Sequence, residues 1–339
     1  MSVAYRLVRK LRNLVGTQQI LEPIKSIYTS LLSAYQRRPL RKGTSVASVF
    51  DNMQILPGTP YQRYLLPLDY LPSCDYKPRW GYAHPPHGGL MKQFARNAEL
   101  YRRIIEELRT LRHFLQSIRK DFTHEAAPEP GWVGGPINAL DLALLYYFVW
   151  KYQPRTYLEI GSGISTCFAR RAITDHNLAT RIVSIDPEPR ASIDLICDKV
   201  IRGCLETVDD LSIFEHLEPG DVVFVDGSHR CFMNSDVTVF MLDVLPLLKP
   251  GVIVHFHDFL LPYDYPDSFK NWYWNEQYVL GVYLLAAADR VKILLPSHYL
   301  SRAEGLRDCL VPPIVAIEGQ SDTWLQGGSI WFTHVDNSD

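Results

Sequence analysis

The sequence contains no apolar run of the roughly 20 residues that a membrane-spanning helix requires, which excludes an integral helical membrane protein. An excess of one charge is missing too. Lys and Arg number 35 against 37 Asp and Glu, a formal net charge of −2, so there is no general electrostatic basis for binding nucleic acid. Glycine (20) and proline (23) follow no period, which removes collagen-like and repeat architectures, and 47% hydrophobic content removes disorder. Cysteine is sparse: Cys74, Cys167, Cys197, Cys204, Cys231 and Cys309 form no CxxC pair and no zinc-like spacing. Scattered thiols without a secretion signal lead us to expect a reduced, cytoplasmic protein. A chain of 339 residues can still bury a sizeable core, as one large domain or a domain with an appendage.

Charge is unevenly spread. Residues 1–45 hold nine Lys and Arg against the single acid Glu22, and Leu7, Val8, Leu11, Leu14 and Val15 fall on one helical face. Such a basic amphipathic helix either meets an anionic membrane surface or a partner protein, or packs on its own domain with a solvated basic face. Residues 46–89 alternate Pro57, Pro60, Pro67, Pro72, Pro78, Pro85 and Pro86 with Tyr61, Tyr64, Tyr70, Tyr76 and Tyr82, a pattern for an ordered arm or a linker. The apolar spacing over 90–121 predicts one long helix, ended by breakers at Pro128–Pro130 and Gly134–Pro136. We therefore expect three parts: 1–45, an arm and helix over 46–136, and a main domain over 137–339.

From residue 137 the texture alternates. Helices are expected at Ala139–Trp150, Ser165–Ile173, Ser235–Leu248 and Asn271–Ala288. Strands are expected at Thr156–Ile160, Arg181–Asp186, Lys199–Arg202, Asp221–Asp226, Val252–Asp258, Val291–Leu295 and Ser329–His334. Strands apolar on both faces, separated by helices, predict an α/β fold with a doubly wound, mostly parallel sheet.

In such sheets ligands bind beyond the carboxyl ends of the strands. The first of these strands runs into Glu159-Ile-Gly161-Ser-Gly163 and then a helix, a tight turn followed by free N–H groups. Asp186 closes the next strand, where an acid can hold ribose hydroxyls. Thr166 occupies the place where a dinucleotide fingerprint has its third glycine, which disfavours an NAD-dependent oxidoreductase. A non-catalytic nucleoside-binding protein acting through its basic N-terminus is the other alternative.

The segments YLEIGSGIST, VSIDP, DVVFVDGSH and GVIVHFHDF, in this order, resemble class I S-adenosylmethionine-dependent methyltransferases, and most closely the macrocin- and catechol-type small-molecule O-methyltransferases. The resemblance spans roughly 137–335 and implies a Rossmann-like sheet with helices on both faces, carrying the N-terminal helical and Pro/Tyr-rich segments as an extension. It implies that Glu159, Gly161 and Gly163 line the methionine end of S-adenosylmethionine and that Asp186 holds its ribose. Gly203-Cys-Leu-Glu206 stands where relatives carry an acid for the adenine.

The second constellation is Asp226-Gly-Ser-His229 with His255-Phe-His257-Asp258. If their strands are neighbours, Asp226 and Asp258 repel unless a cation lies between them. A hard divalent ion such as Mg2+ satisfies both; the resemblance gives it Asp226 and Asp258, and we expect His257, beside the second, as a third ligand. His229 is the expected general base, working with Asp226. Hydrogen bonding between Asp226 and His229 without any ion is the other reading, and His255 reads as a buried strand histidine. Acceptor recognition is expected in Leu260–Tyr283, where Tyr263, Tyr265, Phe269, Trp272, Tyr273, Trp274, Tyr278 and Tyr283 crowd together, although the same residues could pack the 46–89 arm. Asn275-Glu276-Gln277 either orients acceptor hydroxyls or caps the helix. The resulting expectation is methyl transfer to a hydroxyl of a small phenolic, sugar-like or natural-product molecule.

Overall fold

The computed structural model describes residues 78–122, 128–189, 192–270, 272–315, 317 and 324–335. The basic segment 1–45, Cys74 and the part of the Pro/Tyr arm before residue 78 lie outside the described residues.

Seven strands form the central sheet, flanked by helices as the alternating texture predicts. In chain order they are β3 (Thr156–Ile160), β4 (Arg181–Ile185), β5 (Lys199–Ile201), β6 (Val222–Val225), β7 (Ile253–Phe256), β8 (Val291–Pro296) and β9 (Ile330–His334). Before them, β1 (Arg119–Asp121) and β2 (Gly131–Val133) make a separate two-stranded parallel pair that the sequence reading lacks. The order across the main sheet is β5-β4-β3-β6-β7-β9-β8; every pairing from β5 to β7 is parallel, and β9 runs antiparallel to both neighbours. The chain reverses its direction of winding between β3 and β6, and the carboxyl ends of those two strands open the crevice where such folds bind ligands.

The helix α4 (Ala139–Tyr152) shows why the core sits where it does. Eleven consecutive residues, Ala139 to Val149, are buried, so the helix is apolar all round and lies between layers rather than on the surface. Each large apolar side chain buried there contributes about 1.5–3 kcal/mol. Phe148 stacks on Trp331 of β9 at 4.1 Å, tying the helix to the antiparallel end of the sheet. Asp141, 2% exposed on the same helix, accepts from Ser297 Oγ and Ser329 Oγ (both 2.6 Å) and from the Gly328 amide (2.8 Å).

Three expected helices are interrupted. The 90–121 span is α1 (Gly88–Ala95, starting two residues earlier), α2 (Ala98–Thr110) and α3 (Arg112–Ser117). The first break is at Asn97, whose side-chain amide donates to the Ile293 carbonyl of β8 at 3.0 Å. The 235–248 span holds a short α-helical turn (Asp236–Val239), then a π turn (Phe240–Val244) and a 3-10 turn (Leu245–Leu247) containing Pro246, which has no N–H to continue a helix. The 271–288 helix begins only at Glu276 and ends at Ala286, because the residues before it are drawn to the site.

Candidate active site

The loop after β3 passes closest to β6. Gly161 has φ +79°, and a Cβ there would come within 1.9 Å of the Asp226 carbonyl oxygen, so only glycine lets this loop turn against the neighbouring strand end. The helix α5 (Ile164–Asp175) follows, with Gly163 at its N-cap.

Glu159 is 0% exposed, and its carboxylate receives the hydroxyls of Thr166, Tyr157 (3.1 Å) and Ser165 (3.2 Å). Burial pushes its pKa up to about 8 although those hydroxyls pull it down. The carboxyl that the sequence assigns to the cofactor is thus bonded to the first turn of the helix after the glycine loop. Thr166, also fully buried, bonds Gly163 N and Glu159, occupying the ground where a third glycine would admit a pyrophosphate. Asp186 at the end of β4 accepts from the Ser162 amide (2.7 Å), the Ser162 hydroxyl (3.1 Å) and the Glu188 amide (2.7 Å), which couples it directly to the glycine loop.

Pairing of Val225 with Phe256 makes β6 and β7 neighbours, so Asp226 and Asp258 emerge side by side. A carboxylate oxygen of each and one ring nitrogen of His229 lie within 4.8 Å of one another. His229 Nε2 is 3.5 Å from Asp226 Oδ1 and 3.4 Å from Asp258 Oδ2. His229 (φ +63°) and Asp258 (φ +51°) both adopt the left-handed backbone that non-glycine residues rarely use, a strain that concentrates at functional sites. Burial works against the His229 imidazolium, but Glu276, Asp226 and Asp258 outweigh it and lift its pKa to about 9. Burial raises the Asp258 pKa, with His257 and His229 opposing.

His257 is not in this group. Its Nε2 lies 3.9 Å from Asp258 Oδ1, and its ring is buried alongside His255, 5.9 Å away on the same face of β7. His255 stacks on Phe224 at 4.0 Å, and burial holds it neutral, as expected of a strand histidine in the core.

Two contributors, Glu276, expected only to orient an acceptor or cap its helix, and Asp236, which the sequence reading lacks, serve the loop that carries His229. Glu276, 3% exposed in the first turn of the helix Glu276–Ala286, meets His229 Nδ1 at 2.5 Å. The amides of Asn275 (3.0 Å) and Glu276 (3.3 Å) also donate to the His229 carbonyl, so this helix start grips both backbone and ring. Asp236 takes the Ser228 amide (2.6 Å) and hydroxyl (2.5 Å), and a side chain at Gly227 would strike its carboxylate. The sequence signals were the Asn275–Gln277 polar trio and an acid in the first turn after the Asp226–His229 loop, and neither says which residue it reaches. Asn275 itself receives the Cys231 amide (2.6 Å), and Gln277 receives that of Leu260 (3.0 Å).

The aromatic crowd divides. Trp274 lies 4.1 Å from the His229 ring, Trp272 4.6 Å from Trp274, and Phe269 4.2 Å from Trp272, forming a wall beside the cluster. Tyr263 faces the other way: it contacts Gly81, and Arg302 sits over its ring and that of Tyr82. The amide of Asp264 donates to the Trp80 carbonyl (3.1 Å) and that of His87 to the Pro262 carbonyl (2.8 Å), so the end of the Pro/Tyr segment docks on this same loop.

Residues 158–259 match the family described as a methyltransferase domain. Solved structures that resemble the chain include the O-methyltransferase TomG from Streptomyces achromogenes, involved in tomaymycin synthesis, in complex with SAM: 18% identity over 59% of this chain and 82% of that one, TM-score 0.36. The SAH-bound Podospora anserina methyltransferase PaMTH1 is 15% identical over 76% of this chain and 100% of that one, TM-score 0.38. A CmcI structure with Mg and SAM is 16% identical over 57% and 72%, TM-score 0.31. No curated protein matches. Among the described residues, no helix is long and apolar enough to cross a membrane.

Proposed function

We propose that this chain, whose residues 158–259 match a methyltransferase domain, is a class I enzyme that delivers the methyl group of S-adenosylmethionine to a hydroxyl oxygen of a ring-bearing small molecule, with a divalent cation held by Asp226 and Asp258. The observation that carries this reading is the convergence of two carboxylates and an imidazole at the ends of β6 and β7, beside the glycine loop and under an aromatic wall.

The cofactor supplies an already activated methyl group, so the protein's work is to position, to exclude water and to dispose of a proton. The Gly161–Gly163 loop and Asp186 form the cofactor side of the crevice. Thr166 denies the close approach that a dinucleotide needs, which argues against the NAD reading. Across from them, S-adenosylmethionine, when bound, would supply a methyl group to an acceptor oxygen, its carbon–sulfur bond breaking as the carbon–oxygen bond forms, and the carboxylate–imidazole cluster is placed to receive the hydroxyl proton. A divalent cation, when bound, makes a hydroxyl more acidic. Two acids meeting at one point suit such an ion. Trp272 and Trp274 offer flat faces on which a phenolic or sugar ring can lie.

The test pairs binding with turnover. Calorimetry should detect S-adenosylhomocysteine and not NAD. A panel of phenols, catechols and sugars, incubated with methyl-labelled cofactor, should yield labelled product that a chelator suppresses. Binding without turnover on any hydroxylated ring would favour the non-catalytic alternative, and turnover indifferent to chelator would remove the cation.

A further inference from the structure

The sequence reading gives His257 to the cation and leaves His229 free as the base; the geometry exchanges the two histidines. Building on the divalent-cation reading above, we infer that His229 is itself an inner ligand through Nε2, held from behind by Glu276, and that the resulting nitrogen-and-two-oxygen set selects a first-row transition ion such as Mn(II), Fe(II), Co(II) or Zn(II) over magnesium.

Four observations converge. First, Glu276 backs Nδ1 at 2.5 Å, so Nε2 is the ring nitrogen that faces Asp226 and Asp258, and a cation between the two carboxylates would take the place of its proton. A carboxylate behind the far nitrogen is the usual support of a metal-bound histidine, because it fixes the tautomer and raises ligand basicity. Second, the Nε2 distances of 3.4 and 3.5 Å are long for hydrogen bonds to carboxylate. Bonds of ~2.0–2.1 Å put donor atoms ~2.8–3.0 Å apart at octahedral angles and ~3.3–3.4 Å apart at tetrahedral ones, so the observed spacing lies at the wide, tetrahedral end of what a shared ion imposes. Third, the ring cannot easily swing away. His229 is 7% exposed, the Trp274 ring lies 4.1 Å from it, and its carbonyl accepts from the amides of Asn275 and Glu276. Fourth, His257 is turned into the core beside His255, so it flanks Asp258 without joining the trio.

Imidazole is a poor ligand for magnesium, which prefers oxygen and keeps its waters, but a good one for the later divalent ions. A lone pair given to an ion is no longer a base, so on this inference His229 does not take the acceptor proton.

The test uses the full chain, stripped of metal and titrated separately with Co(II), Mn(II) and Mg(II). We expect Co(II) and Mn(II) to bind at least about tenfold more tightly than Mg(II), and Co(II) to develop visible absorption bands. In the Co(II) protein, selective 15N-histidine labelling should reveal one ring N–H resonance far outside the normal range, from His229 Nδ1. His229→Ala should abolish that resonance and erase the preference over magnesium. Glu276→Gln should weaken Co(II) roughly 10–100-fold and move the resonance. Equal affinity for the three ions, no shifted histidine resonance, or a preference that survives His229→Ala would each overturn the inference. Calorimetry with S-adenosylhomocysteine, run on every variant, keeps the two readings apart: its failure on the wild type would strike the methyltransferase reading, and its retention certifies that a variant has folded.

Discussion

Gly161 and the Asp226 carbonyl meet so closely that a single added carbon on the glycine would sit 1.9 Å from the oxygen. The loop after β3 and the loop after β6 are therefore one packed unit, and a change in the first must displace the second. Gly161→Ala also asks alanine to adopt φ +79°, so we expect a cost of about 2 kcal/mol or more and at least a tenfold loss of S-adenosylhomocysteine affinity by calorimetry. Gly88→Ala, at a glycine with nothing within 4 Å of the new carbon, should leave both stability and affinity unchanged. Equal behaviour of the two variants would show that the loops are not coupled.

Glu159 makes stability fall as pH rises. Its folded pKa of about 8 lies above the ordinary 4.5, so the folded chain keeps a proton that the unfolded chain releases. The stabilisation is complete below about 4.5, declines between the two values and is gone above 8. Glu159→Gln mimics the protonated form at every pH. Its melting temperature should exceed that of the wild type by several degrees at pH 8.5 and by little at pH 4.5. Parallel melting curves across that range would contradict a protonated Glu159.

Asp141 joins the core helix to the strand entrance beside the site. Its carboxylate holds Ser297, Ser329 and the Gly328 amide, and the Gly328 carbonyl accepts from the amide of Phe259, next to Asp258. Asp141→Ala strands these donors in the interior at ~1–3 kcal/mol each. We expect a loss of about 3 kcal/mol or more, seen as a melting point lower by about 6 °C or more, with Asp141→Asn recovering part of it. A melting point within a degree of the wild type would mean that the network carries no net stability.

Trp274 should discriminate between acceptors. With its ring beside His229, Trp274→Ala should raise KM for ring-bearing acceptors roughly tenfold while S-adenosylhomocysteine affinity stays constant, and Trp274→Phe should retain most of the wild-type KM. A KM unaffected by removal of the indole would place the acceptor elsewhere.

The strands were legible because their signal is local. Thr156–Ile160 coincides with β3, and the expected strands Arg181–Asp186 and Lys199–Arg202 differ from β4 and β5 by one residue each. Helix continuity was less legible, because the apolar spacing of 90–121 runs straight through Asn97, where a bond to β8 ends the helix. Pro246 did carry a readable warning against the long 235–248 helix. The delayed start at Glu276 carried none, since Asn275 leaves the helix to serve His229.

Period and composition alone determined the α/β alternation, the glycine bend, and the presence of acids at the ends of three strands, because each depends on residues within a few positions of one another. The partnership within the cluster was decided only in three dimensions. Two aspartates 32 positions apart become neighbours through the pairing of β6 with β7, and a glutamate 47 residues beyond His229 becomes its closest contact. Spacing along a chain cannot express such contacts: the sheet order and the docking of a helix end choose the partner, and burial then sets how strongly the charges interact.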